Sequence, residues 1–439
     1  MTGDPPSQHR PVTLFVNAGQ TVTCAGPARA RRGAEMQDAG VQVGVGVAVQ
    51  GDRFVAVDRD DVLRRRFPDA EEIDCDRGVL APGFVDSHTH TLFGRARYEE
   101  HELRATGVPY LEIAARGGGI HASVRDLRAR SDEALLSLAV PRLQKLAAGG
   151  VTTVEIKSGY GLTVYDELRS LRVIAGLAAS RPLNIVATCL GAHEVPLEYR
   201  DRPNGRLEWI ECLIHELYPA VAAERLAAFA DVFCEPGVFT TAEARRLLEA
   251  ARRHGLRPKL HADELHDGGA AALAAELGAV SADHLAAISP AGIAALAASD
   301  TVATLLPSTM LFLGTGRQAP ARALLEAGAA IAIATDLNPG TSPLQSFPLV
   351  LTLAVSQLRL SASEAWIAGT VNGAAAVGLA GVTGQLREGF RADLAVHAVD
   401  DFRALPYWFG ERLCQVAWAS GRACHLSPQT LASHGIASS

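Results

Sequence analysis

The chain lacks a cysteine framework. Its seven cysteines, Cys24, Cys75, Cys189, Cys212, Cys234, Cys414 and Cys424, are odd in number and scattered, and no two stand in a C-x-x-C spacing. That excludes a disulfide scaffold and fits a reducing, cytoplasmic setting. Blocks of one charge are missing as well: the net charge is −7, and no Lys/Arg run stands apart from compensating acids, so the electrostatic footprint of nucleic-acid binding is absent. The residues ahead of Pro11 are polar and carry no apolar signal segment. No stretch approaches the roughly 20 apolar residues of a membrane span, since even the Ala-rich run from Ala270 is broken by Glu276 and Asp283. No fixed-period repeat occurs. The expected partner is therefore a small molecule, with no nucleic acid and no membrane. Homodimerisation is carried as an expectation that no residue motivates.

What is present is ample apolar material, 48% of 439 residues against 20% charged, enough for a barrel-sized core with an appended domain. From Val41 to Val57 short Val-rich segments alternate and are broken by Gly44, Gly46 and Gly51, which is sheet chemistry. A further strand is expected at Val12–Asn17. After Val79-Leu80-Ala81-Pro82-Gly83 the pattern changes to apolar strands alternating with amphipathic helices. Eight strands are expected, at Gly83–Ser87, Val151–Ile156, Asn184–Leu190, Asp231–Cys234, Arg257–Leu260, Ala279–Ala282, Thr301–Leu306 and Ala330–Thr335. The fold class is thus α/β, a (β/α)8 TIM-like barrel. One helix over Ser361–Val377, opened by a Ser361/Glu364 capping box, should close it. Alternation returns from Gly384 to Val396, so a small discontinuous β-sandwich domain is expected from the N- and C-terminal segments. The boundaries are 1–80 and 378–439 for the small domain, and 81–377 for the barrel.

The sharpest local signal is His88-Thr89-His90, directly after the first barrel strand. Two imidazoles two residues apart on an extended segment project to one side and can share a metal ion. Alone, an H-x-H is more often coincidence. Context changes its weight: His193, His261, His284 and Asp336 end the third, fifth, sixth and eighth strands, and those ends converge on the active-site face of a barrel. The ligand assignment is His88, His90, His261 and Asp336, with one position open for a water whose pKa the metal would lower. The fourth strand ends in Phe233-Cys234-Glu235 and Lys157 lies on the second. With no lysine placed to become a bridging carbamate, one ion per chain is expected, zinc or iron, since three imidazoles and a carboxylate suit both. Glu264, three residues after His261, is favoured as the carboxylate that touches substrate; the bland alternative is an acid that merely suits a helix start.

Two superficial matches fail. Gly44-Val45-Gly46 lacks the third glycine and following helix of a dinucleotide fingerprint, and His215-Glu216 lacks the second histidine of a zincin. Arg116-Gly117-Gly118-Gly119 reads equally as a lid or a plain turn.

Pro82-Gly83-Phe84-Val85-Asp86-Ser87-His88-Thr89-His90 resembles the opening of the amidohydrolase superfamily. Tyr110-Leu111-Glu112-Ile113, Glu155-Ile156-Lys157-Ser158-Gly159-Tyr160-Gly161-Leu162, Leu190-Gly191-Ala192-His193, Ser281-Ala282-Asp283-His284-Leu285 and Thr335-Asp336-Leu337-Asn338-Pro339-Gly340 together resemble the imidazolonepropionase family over nearly the whole chain. The resemblance implies metal-dependent hydrolysis of 4-imidazolone-5-propanoate to N-formimidoyl-L-glutamate in histidine catabolism. It also implies that Arg97 pairs with the propanoate, that Tyr160, His193 and Glu264 contact substrate, and that Asn338, Gly340 and Thr341 hold a carboxylate in the loop after strand eight. The catalytic groups would be Asp336 as proton acceptor, His284 orienting the nucleophile or stabilising the oxyanion, Glu264 at the ring nitrogen and His193 hydrogen-bonding the substrate. A related deaminase or another cyclic amidase is the rival reading. Residues up to about Arg32 match little beyond the first strand.

Overall fold

A computed structural model describes residues 11–108, 112, 117–180, 183–428 and 430. Eight parallel strands run in chain order: Phe84–Asp86, Val151–Lys157, Asn184–Ala192, Phe229–Cys234, Arg257–Ala262, Ser281–His284, Val302–Leu305 and Ile331–Ile333. Each neighbouring pair is hydrogen-bonded in parallel register. The first and last strands meet beyond their regular portions, where Thr89 bridges Leu337, His90 N donates to the Leu337 carbonyl at 2.8 Å and Asp336 N to that of His88 at 3.0 Å. The seam that closes the barrel is thus also the seam that brings His88, His90 and Asp336 together. Helices between the strands bury their apolar stripes on the barrel; in Thr241–Arg253, for example, Ala244, Leu247, Leu248 and Ala251 face inward behind a Thr240/Glu243 capping box.

The expected return of the chain to a small β unit is present. Leu394–His397 pairs antiparallel with Val79–Pro82, Leu394 opposite Pro82, within a six-stranded sheet that includes Cys414–Ala419 and Arg422–Leu426. A four-stranded sheet of Val12–Val16, Val45–Gln50, Arg53–Arg59 and Glu71–Asp74 packs on it through Phe15, Val47, Leu80, Leu394 and Val416. Two expectations change in detail. The alternation from Gly384 yields a strand only at Leu394–His397. The helix expected as one piece over Ser361–Val377 has its Ser361/Glu364 capping box but breaks at Thr370 (φ −124°, ψ −81°) into Ala362–Gly369 and Val371–Ala376. There the Thr370 hydroxyl bonds back to the Trp366 carbonyl at 2.6 Å, the local competition with the helix ladder that Thr offers. All seven cysteines are free. No helix among the described residues is long and apolar enough to cross a membrane.

At the N-terminal end of the barrel His397 is fully buried, its ring 5.7 Å from that of Phe84 and 5.8 Å from that of Trp366. Neither ring nitrogen has a hydrogen-bond partner among the described residues, and burial pushes its pKa down to about 3. An unfolded chain takes up this proton below about pH 6.5, while the folded one resists it until about 3. The stability contribution is therefore complete above 6.5 and falls by about 1.4 kcal/mol per pH unit below it. Urea unfolding at pH 7.5 and pH 5 should show a His397→Leu variant losing about 2 kcal/mol less than the parent over that interval; equal losses would remove this histidine as the acid-sensitive element.

Candidate active site

Four barrel strands deliver histidines to one point. His88 and His90, on the segment leaving the first strand, are buried. His261 lies within the fifth strand, and its Nε2 is 3.3 Å from His90 Nε2. Asp336 Oδ1 stands 3.6 Å from His88 Nε2 and 3.7 Å from His90 Nε2. Ligand atoms at about 2.0–2.1 Å from one tetrahedral ion lie roughly 3.3 Å from each other, so these separations suit a single shared cation. Two overlapping groups, His88/His90/Asp336 and His88/His261/His284, could hold one, and both contain His88. The donor chemistry agrees: His88 Nε2 and both nitrogens of His284 are buried without a hydrogen-bond partner among the described residues, a cost that a bound metal would offset at the nitrogens facing it. The site is therefore one metal centre of imidazole and carboxylate.

The backbone is held in unusual conformations to achieve this. His284 (φ 80°), Leu285 (φ 63°), Asp336 (φ 51°) and Asp263 (φ 47°) all occupy the left-handed region, where non-glycine residues cost free energy and tend to cluster at functional sites. Thr309 Oγ1 donates to Asp336 Oδ2 at 2.6 Å, which leaves Oδ1 for the histidine cluster.

Around the cluster lie the other residues singled out from sequence. His193 Nδ1 donates to the Gly159 carbonyl at 2.9 Å; a carbonyl only accepts, so Nε2 carries the lone pair. Its ring lies 5.1 Å from that of His90 and 5.3 Å from that of Tyr160. Burial pushes His193 down to about 3, so it is neutral. Glu264 Oε1 is 3.7 Å from His284 Nδ1. Burial, then the neighbouring Asp336 and Glu235 carboxylates, push Glu264 up to about 8. Burial likewise keeps His284 well below its usual value. In the loop after strand eight, Asn338 Oδ1 accepts from the Gly340 and Thr341 amides at 2.8 and 2.7 Å, forming an Asx-type turn. Arg97 lies over this turn: a Cβ on Gly340 would fall 1.2 Å from Arg97 Nη2, so glycine here lets the guanidinium rest on the backbone. Arg97 Nε and Nη1 are buried without a hydrogen-bond partner among the described residues, and Glu100 is 3.8 Å away. Of the Arg116–Gly119 loop, Arg116 lies outside the described residues; so do Tyr110, Leu111 and Ile113 of the expected Tyr110–Ile113 motif. Gly119 N donates to Glu100 Oε1 at 3.0 Å.

Several supporting residues were not legible from sequence. Glu167, fully buried, accepts from the Gly159, Gly161 and Leu162 amides at 3.0, 2.8 and 2.9 Å, fixing the segment that carries Tyr160 and orients His193. Asp263 accepts from the Gly268, Ala270 and Ala271 amides at 2.9, 3.0 and 2.9 Å, which ties Glu264 to the N-terminus of Ala270–Glu276. Arg142 donates to the carbonyls of Thr91, Phe93 and Gly94, pinning the exit of the H-T-H segment toward Arg97. Asp283 accepts from His88 Nδ1 at 2.6 Å, and Asp231 Oδ2 lies 3.1 Å from His261 Nδ1. Only Asp283, adjacent to His284 within S-A-D-H-L, carried any sequence signal.

Comparison with known proteins decides the family. A model described as "Amidohydrolase family" matches residues 115–422. The imidazolonepropionase of Symbiobacterium thermophilum is 48% identical over 406 residues, covering 91% of this chain and 94% of that protein. The chain belongs to the imidazolonepropionase family. The enzyme of the same name from Chloroflexus aggregans is 44% identical, with coverage of 90% and 94%. Among solved structures, an adenosine deaminase from Xanthomonas campestris with bound zinc superposes with a TM-score of 0.71 at 19% identity, covering 96% of each chain. E. coli guanine deaminase gives 0.70 at 16%, covering 95% of this chain and 99% of that one. At those identities the deaminases share the fold, whereas the family relationship rests on the imidazolonepropionases.

Proposed function

We propose that the chain hydrolyses the ring amide of 4-imidazolone-5-propanoate to N-formimidoyl-L-glutamate. The single observation that carries the substrate is Arg97: a guanidinium with two buried nitrogens lacking hydrogen-bond partners among the described residues lies beside the histidine cluster, over a turn built on Asn338, Gly340 and Thr341. A small heterocycle bearing a carboxylate supplies a charged acceptor for this cation. A neutral nucleobase, the substrate type of the rival deaminase reading, would offer that cation acceptors but no opposing charge.

A zinc or iron ion held by His88, His90, His261 and Asp336 would supply Lewis acidity and bring a water toward deprotonation near neutral pH. The remaining work falls to the chain's own side chains. Asp336 Oδ1 accepts the proton of the attacking water while Oδ2 stays bonded to Thr309. His284, held neutral, orients the nucleophile or stabilises the oxyanion that develops on the ring carbonyl. His193 hydrogen-bonds the substrate through Nε2, and Tyr160 lines the same wall. When the tetrahedral carbon collapses, the ring C–N bond breaks. Glu264, protonated at neutral pH, gives its proton to the departing nitrogen, so that water is added and no ammonia leaves.

The test is the loss of the ultraviolet absorbance of freshly generated 4-imidazolone-5-propanoate, with formimidoylglutamate and ammonia both quantified. Turnover should vanish after chelation and return with zinc or iron, yielding formimidoylglutamate alone. Ammonia in stoichiometric amount would replace this reading by deamination.

A further inference from the structure

The chain contains only three lysines among 41 basic residues, yet two of them, Lys157 and Lys259, are completely buried inside the barrel. Lys157 Nζ lies 2.8 Å from Glu155 Oε1, 2.8 Å from Asp231 Oδ2 and 3.7 Å from Asp283 Oδ2. Lys259 Nζ donates to the Ser87 carbonyl at 3.0 Å and lies 3.2 Å from Glu155 and 3.8 Å from Asp283. All five of these ionic side chains have no exposed surface. Five buried charges are a heavy desolvation load, and apolar side chains would fill this layer of a barrel more cheaply. The arrangement gives a reason for the load. Asp231 and Asp283 are the two carboxylates behind the cluster: Asp283 takes the Nδ1 proton of His88 at 2.6 Å, while Asp231 lies 3.1 Å from His261 Nδ1 and also accepts the His261 amide at 3.1 Å. Among the described residues, Lys157 is the one cation that contacts both. A compact ammonium with three rotatable donors can face three carboxylates from different strands, which the planar fork of arginine cannot do in the same volume.

We propose that Lys157 is a positioning residue of the metal centre: its ammonium ties the carboxylate behind His261 to the carboxylate behind His88, so that the two imidazoles present their Nε2 atoms as one rigid unit. The inference rests on the reading of His88 and His261 as ligands. It goes beyond that reading in making their orientation a joint property governed by a residue that touches neither ring. Loss of such an orienting partner typically weakens metal affinity 10–100-fold.

The experiment measures zinc affinity by competition with a chromophoric chelator, together with the visible absorption of the cobalt-substituted protein and the melting temperature of the metal-free chain. Parent, Lys157→Met, Glu155→Gln and the charge-balanced double variant Lys157→Met/Glu155→Gln are compared. Glu155 touches Lys157 and neither histidine, so removing both neutralises one charge of each sign and leaves Asp231 and Asp283 in place. Zinc affinity should fall about 10–100-fold in both variants lacking the lysine and change less than about threefold in Glu155→Gln. The cobalt bands should shift only where the lysine is gone, at metal-free melting temperatures close to the parent for the double variant. If the parent binds no zinc, the ligand assignment fails and takes this inference with it. If the parent binds and the double variant matches it in affinity and spectrum, the ligand assignment stands and the role of Lys157 is overturned. A double variant that stays unfolded even in saturating zinc also overturns it, because a positioning role leaves the fold intact.

Discussion

Glu264→Gln should lower kcat by a factor on the order of 10²–10⁴ with KM little changed. Glutamine keeps the shape and hydrogen-bonding reach of the protonated acid but has no proton to give to the departing ring nitrogen. The backbone that carries the side chain is independently fixed: Asp263 caps the following helix, Glu235 accepts from Leu265 N at 3.3 Å and from His266 Nδ1 at 2.8 Å, and Arg317 Nη2 reaches the Leu265 carbonyl at 2.8 Å. The substitution therefore tests proton transfer with the architecture preserved. The pH profile gives a second readout. An acid whose pKa is pushed up to about 8 is present below that value and lost above it, so kcat of the parent should decline on the alkaline side of about 8, and the variant should lack that limb. An undiminished kcat, or an alkaline limb retained at the same position, would assign the leaving-group proton to another residue.

How much of this was legible in the chain follows from how each residue is wired. His88 and His90 can be read because two residues of extended chain suffice to put both rings on one side. His193, His261, His284 and Asp336 become readable once strand ends are counted, since barrel topology converts sequence position into convergence. Glu264 follows from its spacing to His261 within a single turn. Asp231 and Asp283 obey no such local rule. Asp283 meets an imidazole 195 positions away, and an acid inside an apolar strand reads as an interruption until its partner is known. Glu167 is equally hidden: from sequence it is an ordinary acid in the first turn of Val164–Ser180, yet it accepts three amides of the preceding loop. The break at Thr370 escaped for a related reason, because the capping box marks where a helix begins and the apolar run shows no stop. Chemistry at the metal was therefore written locally, whereas the support beneath it was written in contacts between strands.

Arg97→Met should cost on the order of 10² in kcat/KM, carried mostly by KM. Two charge-assisted hydrogen bonds to a carboxylate are together worth about 3 kcal/mol after their solvation is counted, and about 1.4 kcal/mol corresponds to each factor of ten. The propanoate takes no part in bond cleavage, so most of this binding is equal in ground and transition state, which raises KM and leaves kcat near the parent value. Methionine keeps an unbranched apolar stem, shorter than arginine's, and removes only the guanidinium that lies over Gly340, so the Asn338-anchored turn should hold its shape. A substrate analogue with a carboxamide in place of the propanoate carboxylate separates charge recognition from packing. The parent should lose about as much on the analogue as the variant loses on the natural substrate, and the variant should treat the two alike. Should the variant still prefer the acid by the full factor, the carboxylate is held by groups other than Arg97. Should neither change affect KM while turnover persists, the ring chemistry remains but the substrate need not be anionic, which would return the deaminase-like heterocycles to consideration.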